Sequence, residues 1–164
     1  MKIKTKIEYL RSFTFGVEDS LVSTVGLLSG VAAAGMDRQE IVLTGVILIF
    51  VEAFSMGVGD LLSMHSAEEF EEGKDMPFLE SFKSGLVMFF SYLLSGLVPL
   101  LPYVFLSKES AFVWSIILSL FGLLLLGMFN GRLIKKNIIK HGIQMLVIGG
   151  LAVLVGIAVG SLVK

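Results

Sequence analysis

The chain of 164 residues is strongly apolar, with 55% hydrophobic residues and a mean hydropathy of +0.88. Charged residues make up only 16%, below the roughly 25% that is usual in soluble domains, and the formal net charge is −1. This composition predicts a membrane protein of one domain and gives no sign of a nucleic-acid partner. The absence of cysteine excludes disulfides, thiolate metal sites and a cysteine nucleophile.

The hydropathy pattern predicts an all-α, polytopic membrane protein with five transmembrane helices. A helical span needs about 20 mostly apolar residues. Three later stretches contain no charged residue, and two earlier ones carry carboxylates. Within a single domain of residues 1–164, the spans are predicted at about 12–34, 41–66, 84–107, 110–131 and 142–163. Pro99 and Pro102 predict a kink or an early end of the third helix.

Basic residues are concentrated on one side of the predicted spans. Four lie before the first span and four lie between the fourth and fifth, whereas the loops on the other side contain only Arg38 and Lys108. The positive-inside rule therefore predicts a cytoplasmic N-terminus, and five spans then place the C-terminus outside. The acidic segment from His65 to Lys83 is predicted to be a cytoplasmic loop.

Glycines spaced four residues apart occur in three of the predicted spans. Such pairs permit close contact between membrane helices. The pairs are Gly26/Gly30, Gly127/Gly131 and Gly156/Gly160. Packing within one subunit is the simpler interpretation of each pair, and a subunit interface is the alternative.

The first two spans contain carboxylates that are unfavourable inside a bilayer. Glu18 and Asp19 lie in the first span, and Glu52 and Asp60 lie in the second. An ionised side chain at the bilayer centre costs about 2.5–3.5 kcal/mol on insertion scales, so it faces protein or water and by default indicates function. No basic residue lies at the depth of Asp19 and Glu52 to neutralise them.

Residue spacing predicts which polar side chains share a depth. If the turn between the first two spans is centred near residues 36–38, Asp19 lies level with Met56, and Glu52 lies level with about Ser23. Glu52, Met56 and Asp60 recur every four residues along one stripe of the second helix. Carboxylates suit hard divalent cations and thioether sulfur suits softer metals, so the mixture fits a borderline ion such as Fe(II).

The acidic segment continues this stripe toward the cytoplasm, where Glu68 and Glu72 are candidate residues of a receiving site. The predicted metal residues are therefore Asp19, Met56, Glu52, Asp60, Glu68 and Glu72. Simpler interpretations stand beside these assignments: a packing role for Met56, a solvated position for Asp60, and a solvated helix end for the glutamates. A carboxyl group in a low dielectric favours its protonated form, so metal and proton would compete for it, as in an antiporter.

Three stretches resemble the vacuolar iron transporter family. Residues 15–35, FGVEDSLVSTVGLLSGVAAAG, resemble its first span, and residues 51–60, VEAFSMGVGD, resemble its second. Residues 96–102, GLVPLLP, look like the glycine/proline signature of its third span. The resemblance covers nearly the whole chain.

The resemblance implies a homodimer of five-span subunits that moves Fe(II), and often Mn(II), out of the cytosol in exchange for protons. The ion path of the family lies between the first spans of the two subunits. Asp19 matches an aspartate of that path and Met56 matches a methionine, whereas Glu52 and Asp60 stand where members vary.

The chain departs from many members in the segment between spans two and three. Those members carry a cytoplasmic metal-binding domain there, and this chain has only residues 66–82 between His65 and Lys83. A short form fits a prokaryotic plasma membrane at least as well as a vacuole. The missing helices put storage of metal, and regulation by it, in doubt.

The sequence thus predicts a divalent-metal exporter that works by proton antiport. Its expected partners are a second copy of the chain, bound through the first helix, and the lipid bilayer. The alternative is a non-transporting membrane scaffold or a subunit of a larger complex. We expect neither an enzyme nor a resident cofactor, because HExxH and GxSxG motifs are missing and the metal would be the substrate.

Overall fold

The structure is a computed structural model that describes residues 3–72 and 78–163, with side chains for 6–67, 69–70 and 78–163. Five helices account for nearly all of the described residues, and these residues include no strand. The helices are α1 (Ile3–Ala33), α2 (Arg38–Glu72), α3 (Phe78–Phe105), α4 (Lys108–Leu133) and α5 (Ile138–Val163). The all-α fold class is confirmed.

Four helices, α2 to α5, are long and apolar enough to cross a membrane. Large apolar side chains such as Phe54, Leu94 and Leu151 stand exposed on their outer surfaces. The described part of α1 does not meet the same criterion, because Glu18 and Asp19 interrupt its apolar sequence. The chain is an integral, multi-pass membrane protein, and the orientation of its termini stays a prediction.

Helix α1 packs against all four other helices, and α3 packs against α1, α2 and α4. A short turn joins α1 to α2, yet each of them packs more extensively on α3 than on the other. On its other side α1 packs against α5, which pairs closely with α4. A buried apolar cluster that includes Leu28, Ile49 and Leu100 joins α1, α2 and α3 near the α1–α2 turn. Side chains at the α1–α2 boundary are thus held mainly through their common neighbour, α3.

The third helix continues through both of its prolines to Phe105, so it does not end early. A proline removes one N–H donor from the helix, and membrane helices tolerate this where the surrounding structure supports the chain. The hydroxyl of Ser115 in α4 donates a 2.7 Å hydrogen bond to the carbonyl oxygen of Pro99. The N–H of Leu106 bonds to the carbonyl oxygen of Pro102 at 2.8 Å, which closes the last turn.

The spaced glycines pack within the subunit. Gly26 and Gly30 of α1 lie against Gly156 and Gly160 of α5, and a Cβ atom on Gly30 would stand 2.8 Å from the carbonyl oxygen of Gly156. A Cβ atom on Gly156 or Gly160 would overlap the backbone of α1. The pair at 127/131 in α4 contacts the start of α5 in the same way. The intrasubunit interpretation therefore holds for all three pairs.

Candidate metal path

Four polar side chains lie within hydrogen-bonding or electrostatic range of one another near the middle of α1, α2 and α3, and we call them the central cluster: Asp19, Ser23, Glu52 and Tyr92. The carboxylates of Asp19 and Glu52 are half-buried and lie near enough to interact electrostatically. Tyr92 is fully buried, and its hydroxyl shares a 2.7 Å hydrogen bond with that of Ser23. The Tyr92 hydroxyl also lies within electrostatic range of both carboxylates. The cluster therefore combines two acidic groups with two hydroxyls.

Small residues let α1 and α3 approach closely enough to form the central cluster. A Cβ atom on Gly16 would stand 3.0 Å from a carbonyl oxygen of α3, and one on Gly96 would stand 2.8 Å from the Ser20 hydroxyl oxygen. Ser20 donates a 2.7 Å hydrogen bond to the carbonyl oxygen of Tyr92. This contact anchors the backbone of α3 at Tyr92, whose hydroxyl then reaches that of Ser23.

Residue spacing predicts Asp19 level with Met56 and Glu52 level with about Ser23. The structure places Asp19 within electrostatic range of Glu52, which is one helical turn from Met56 along α2. Met56 is half-buried one turn beyond Glu52 on the same stripe of α2. Glu18 is half-buried too, but it lies about 100° around α1 from its neighbour Asp19 and so belongs to another face.

Asp60 lies two turns beyond Glu52 in a separate set of contacts, the Asp60 junction, formed with Ser12 and Ser84. Its side chain is only 5% exposed, so the solvated position considered from the sequence is wrong. Ser12 Oγ lies 3.0 Å and 2.9 Å from the two carboxylate oxygens, and Ser84 Oγ donates to one of them at 2.7 Å. The exposed guanidinium of Arg11 approaches the carboxylate to 3.5 Å. The junction therefore ties α1, α2 and α3 together.

The acidic segment is helical at both ends rather than a loop, because α2 reaches Glu72 and α3 begins at Phe78. The side chains of Glu68 and Glu72 lie outside the part of the chain whose side chains the structure describes. Their role as a receiving site stays a prediction. Close to them, His65 Nε2 lies 3.3 Å from a carboxylate oxygen of Glu69.

Tyr92 is not among the metal residues predicted from the sequence. A signal was present, since Tyr92 lies eight residues into the predicted third span and Asp19 lies seven into the first. The partners of Asp60 were also missed, because a serine at the start of a span has no distinctive pattern. Among the described side chains, no three histidine, aspartate or glutamate groups form a metal cage.

The sequence model of the VIT family matches residues 10–76 and 73–161, which is most of the chain. The chain belongs to the VIT family. This confirms the resemblance to vacuolar iron transporters, and it confirms that the protein belongs to a family of transporters rather than enzymes.

Curated relatives of this VIT chain come from plants and from parasites. Vacuolar iron transporter homolog 4 of Arabidopsis thaliana is 25% identical over 158 residues, which cover 90% of this chain and 80% of the relative. The vacuolar iron transporter of Centaurea cyanus is 36% identical over 86 residues, covering 51% of this chain and 35% of that protein.

A relative from Plasmodium berghei shows how this VIT chain differs in length. That protein, a vacuolar iron transporter, is 23% identical over 226 aligned residues, which cover 96% of this chain and 83% of the relative. The alignment is longer than the 164 residues of this chain, so the relative contains inserted residues. This agrees with the short connection between α2 and α3.

Proposed function

We propose that this VIT protein moves a divalent transition metal, Fe(II) and also Mn(II), out of the cytosol in exchange for protons. The observation that carries the proposal is the central cluster, in which Asp19 and Glu52 lie together within a membrane protein of a transporter family. Several relatives carry the name vacuolar iron transporter, which supports metal as the substrate.

The chemistry of the central cluster suits exchange of a metal for a proton. Carboxylate oxygens bind divalent first-row ions, and the thioether of Met56, one turn away, adds a softer donor. Inside a membrane a carboxyl group favours its neutral, protonated form, whereas a bound divalent cation favours the carboxylate. Metal arriving at Asp19 would therefore displace a proton, and a proton arriving from the opposite side would displace the metal.

We further propose that two copies of the chain form the path around a twofold axis beside α1. One copy contributes two carboxylates and a thioether, and a six-coordinate cation needs more donors than these. A twofold axis doubles every group. Phe15 lies one turn before Asp19 on the same face of α1 and is 50% exposed. This face of α1 is therefore open to contact with a second copy of the chain, which supports an axis beside α1.

Crosslinking tests the proposed dimer in a chain that has no natural cysteine. We expect Phe15→Cys to form a disulfide-linked dimer in membranes after mild oxidation. Leu151→Cys is the matched control, because Leu151 is exposed on α5 to a similar extent, 56%, and should stay monomeric. Crosslinking at residue 151 but not at residue 15 would place the axis beside α5.

Proteoliposomes that contain one dye for internal metal and one for internal pH test the transport proposal. We expect an inward Fe(II) or Mn(II) gradient to drive metal entry together with alkalinisation of the interior, because protons leave as metal enters. An acidic interior should accelerate metal entry. Metal flux without a pH change would contradict proton exchange. No flux of either kind would favour the alternative of a membrane scaffold.

The proposed direction, out of the cytosol, is the one that the resemblance to vacuolar iron transporters implies, and the predicted topology places the N-terminus and the α2–α3 connection on the cytoplasmic side. Export across a prokaryotic plasma membrane fits this short form. Loading of a vacuole, as the names of the plant relatives suggest, has the same direction relative to the cytosol.

A further inference from the structure

A groove of about 400 Å³ lies between α2 and α3, at the end of the bundle that holds the α1–α2 and α3–α4 turns. Its apolar wall consists of Val42, Leu43, Val46 and Val104. Arg38 and Gln39, the first two residues of α2, lie at the end of the groove nearest the turns. The groove thus runs from a charged end into the apolar part of the helix pair.

The guanidinium of Arg38 spans the two helices at the polar end of the groove. It donates long hydrogen bonds to the carbonyl oxygens of Val104, at 3.5 Å, and Leu106, at 3.4 Å. Because a guanidinium has five N–H donors in a planar fork, most of its capacity is left for another acceptor. The positive end of the α2 helix dipole is at the same place, since α2 begins at Arg38.

Tyr103 also lines the groove, and it is fully buried. Its hydroxyl has no hydrogen-bond partner within the described ranges 3–72 and 78–163. Leaving a buried hydroxyl unpaired costs roughly 1–3 kcal/mol. Because this hydroxyl is itself enclosed, it is not a donor that the groove presents, and the guanidinium of Arg38 is the charged donor at its end.

Two acidic residues close to Arg38 are engaged with the backbone. The N–H of Asp37 donates to a carboxylate oxygen of Glu40 at 2.8 Å, and the N–H of Glu40 donates to a carboxylate oxygen of Asp37 at 2.9 Å. This reciprocal capping box satisfies N–H groups at the start of α2. Neither acidic residue lines the groove, so Arg38 is the charged group that a ligand in it would meet.

We propose that this groove binds one glycerophospholipid of the adjoining membrane leaflet. The phosphate accepts charge-assisted hydrogen bonds from Arg38, and an acyl chain lies along Val42, Leu43 and Val46. The match is one of charge and polarity along the groove: a guanidinium at the level of the helix ends, followed by an apolar wall. A lipid bound there joins α2 to α3 near the α1–α2 turn, away from the central cluster.

Quenching of a single tryptophan by brominated lipids tests this site. Leu43→Trp is introduced together with Trp114→Phe, which removes the natural tryptophan. The protein is reconstituted in mixtures containing either brominated phosphatidylethanolamine or a brominated galactosyl diacylglycerol, which has the same chains but no phosphate. We expect the phospholipid to occupy the site about tenfold more tightly, as charge-assisted hydrogen bonds to a guanidinium predict.

Three variants distinguish binding of a lipid in the groove from the general contact of the helices with the bilayer. Arg38→Gln should reduce the preference for phospholipid to about one, whereas Lys108→Gln, at the same end of the bundle but outside the groove, should leave it unchanged. Val46→Phe, which narrows the apolar wall, should reduce quenching by both lipids to a similar extent, because they carry the same acyl chains and the charge at Arg38 is unchanged. Circular dichroism confirms that each variant is folded.

Three results would overturn the lipid site. Equal quenching by the two lipids would show that the phosphate is not recognised. If millimolar inorganic phosphate removes the preference for the phospholipid, then the polar end of the groove binds a free anion rather than a lipid headgroup. A tryptophan at position 43 that neither lipid quenches would show that a second protein copy covers the groove.

Discussion

Asp19→Asn is expected to abolish metal-coupled proton movement and nearly all metal transport. Asparagine keeps the size of aspartate and one side-chain oxygen, but it cannot release or take up a proton. It also removes one of the two carboxylates that the central cluster offers to a cation. The measurement is simultaneous recording of internal metal and internal pH in proteoliposomes that contain equal amounts of folded protein.

Glu18→Gln is the matched control for Asp19→Asn. It removes the same charge from the same helix one residue away, on a face that does not meet Glu52. We expect this variant to retain both metal flux and proton flux. Met56→Ala should keep coupling but lose selectivity for transition metals over Mg²⁺, because only the soft donor is removed. If metal entry remains coupled to proton exit in Asp19→Asn, then Asp19 is not the group that exchanges metal for a proton, and Glu52 becomes the candidate.

Asp60→Ala should destabilise the protein by about 1–3 kcal/mol, the usual cost of leaving buried hydrogen-bond donors without their acceptor. The hydroxyls of Ser12 and Ser84 both bond to this carboxylate, and alanine leaves them without it in a buried place. Arg11 contributes little to the loss, since its side chain is 64% exposed. The thermal unfolding midpoint in detergent measures the effect.

Two further variants show whether the carboxylate or only its volume matters at the Asp60 junction. Asp60→Asn retains an acceptor oxygen for one of the serines, so it should cost clearly less than Asp60→Ala. Glu109→Ala removes an exposed carboxylate from the first turn of α4 and should cost at most about 1 kcal/mol. Equal midpoints for Asp60→Ala and Glu109→Ala would contradict a structural role for the junction.

Much of the fold follows from the sequence because the bilayer imposes a simple rule. A chain that crosses hydrocarbon must satisfy its backbone hydrogen bonds internally, so long apolar stretches become helices. The five predicted spans correspond in order to α1–α5, although α2 and α3 extend beyond them into the acidic segment. Carboxylates at mid-span could also be recognised from the sequence, since their burial is costly wherever the helices pack.

Only the tertiary structure decided what those carboxylates meet. Asp19 and Asp60 look alike in the sequence, as acidic residues in otherwise apolar spans. In the structure Asp19 lies within electrostatic range of Glu52 and Tyr92, whereas Asp60 accepts hydrogen bonds from two buried serine hydroxyls. The difference arises from the close approach of α1 and α3, which are not consecutive helices, and helix periodicity carries no information about such a contact.

The glycine pairs show the same division between local pattern and packing. Their spacing by itself determined that a helix could approach closely on that face, because four residues return to the same side of a helix. It did not determine which helix would approach. The structure places α5 against α1 at Gly26 and Gly30, so the glycines at 156 and 160 serve the same contact. That choice depends on the shapes of both surfaces at once, and only the packed bundle contains it.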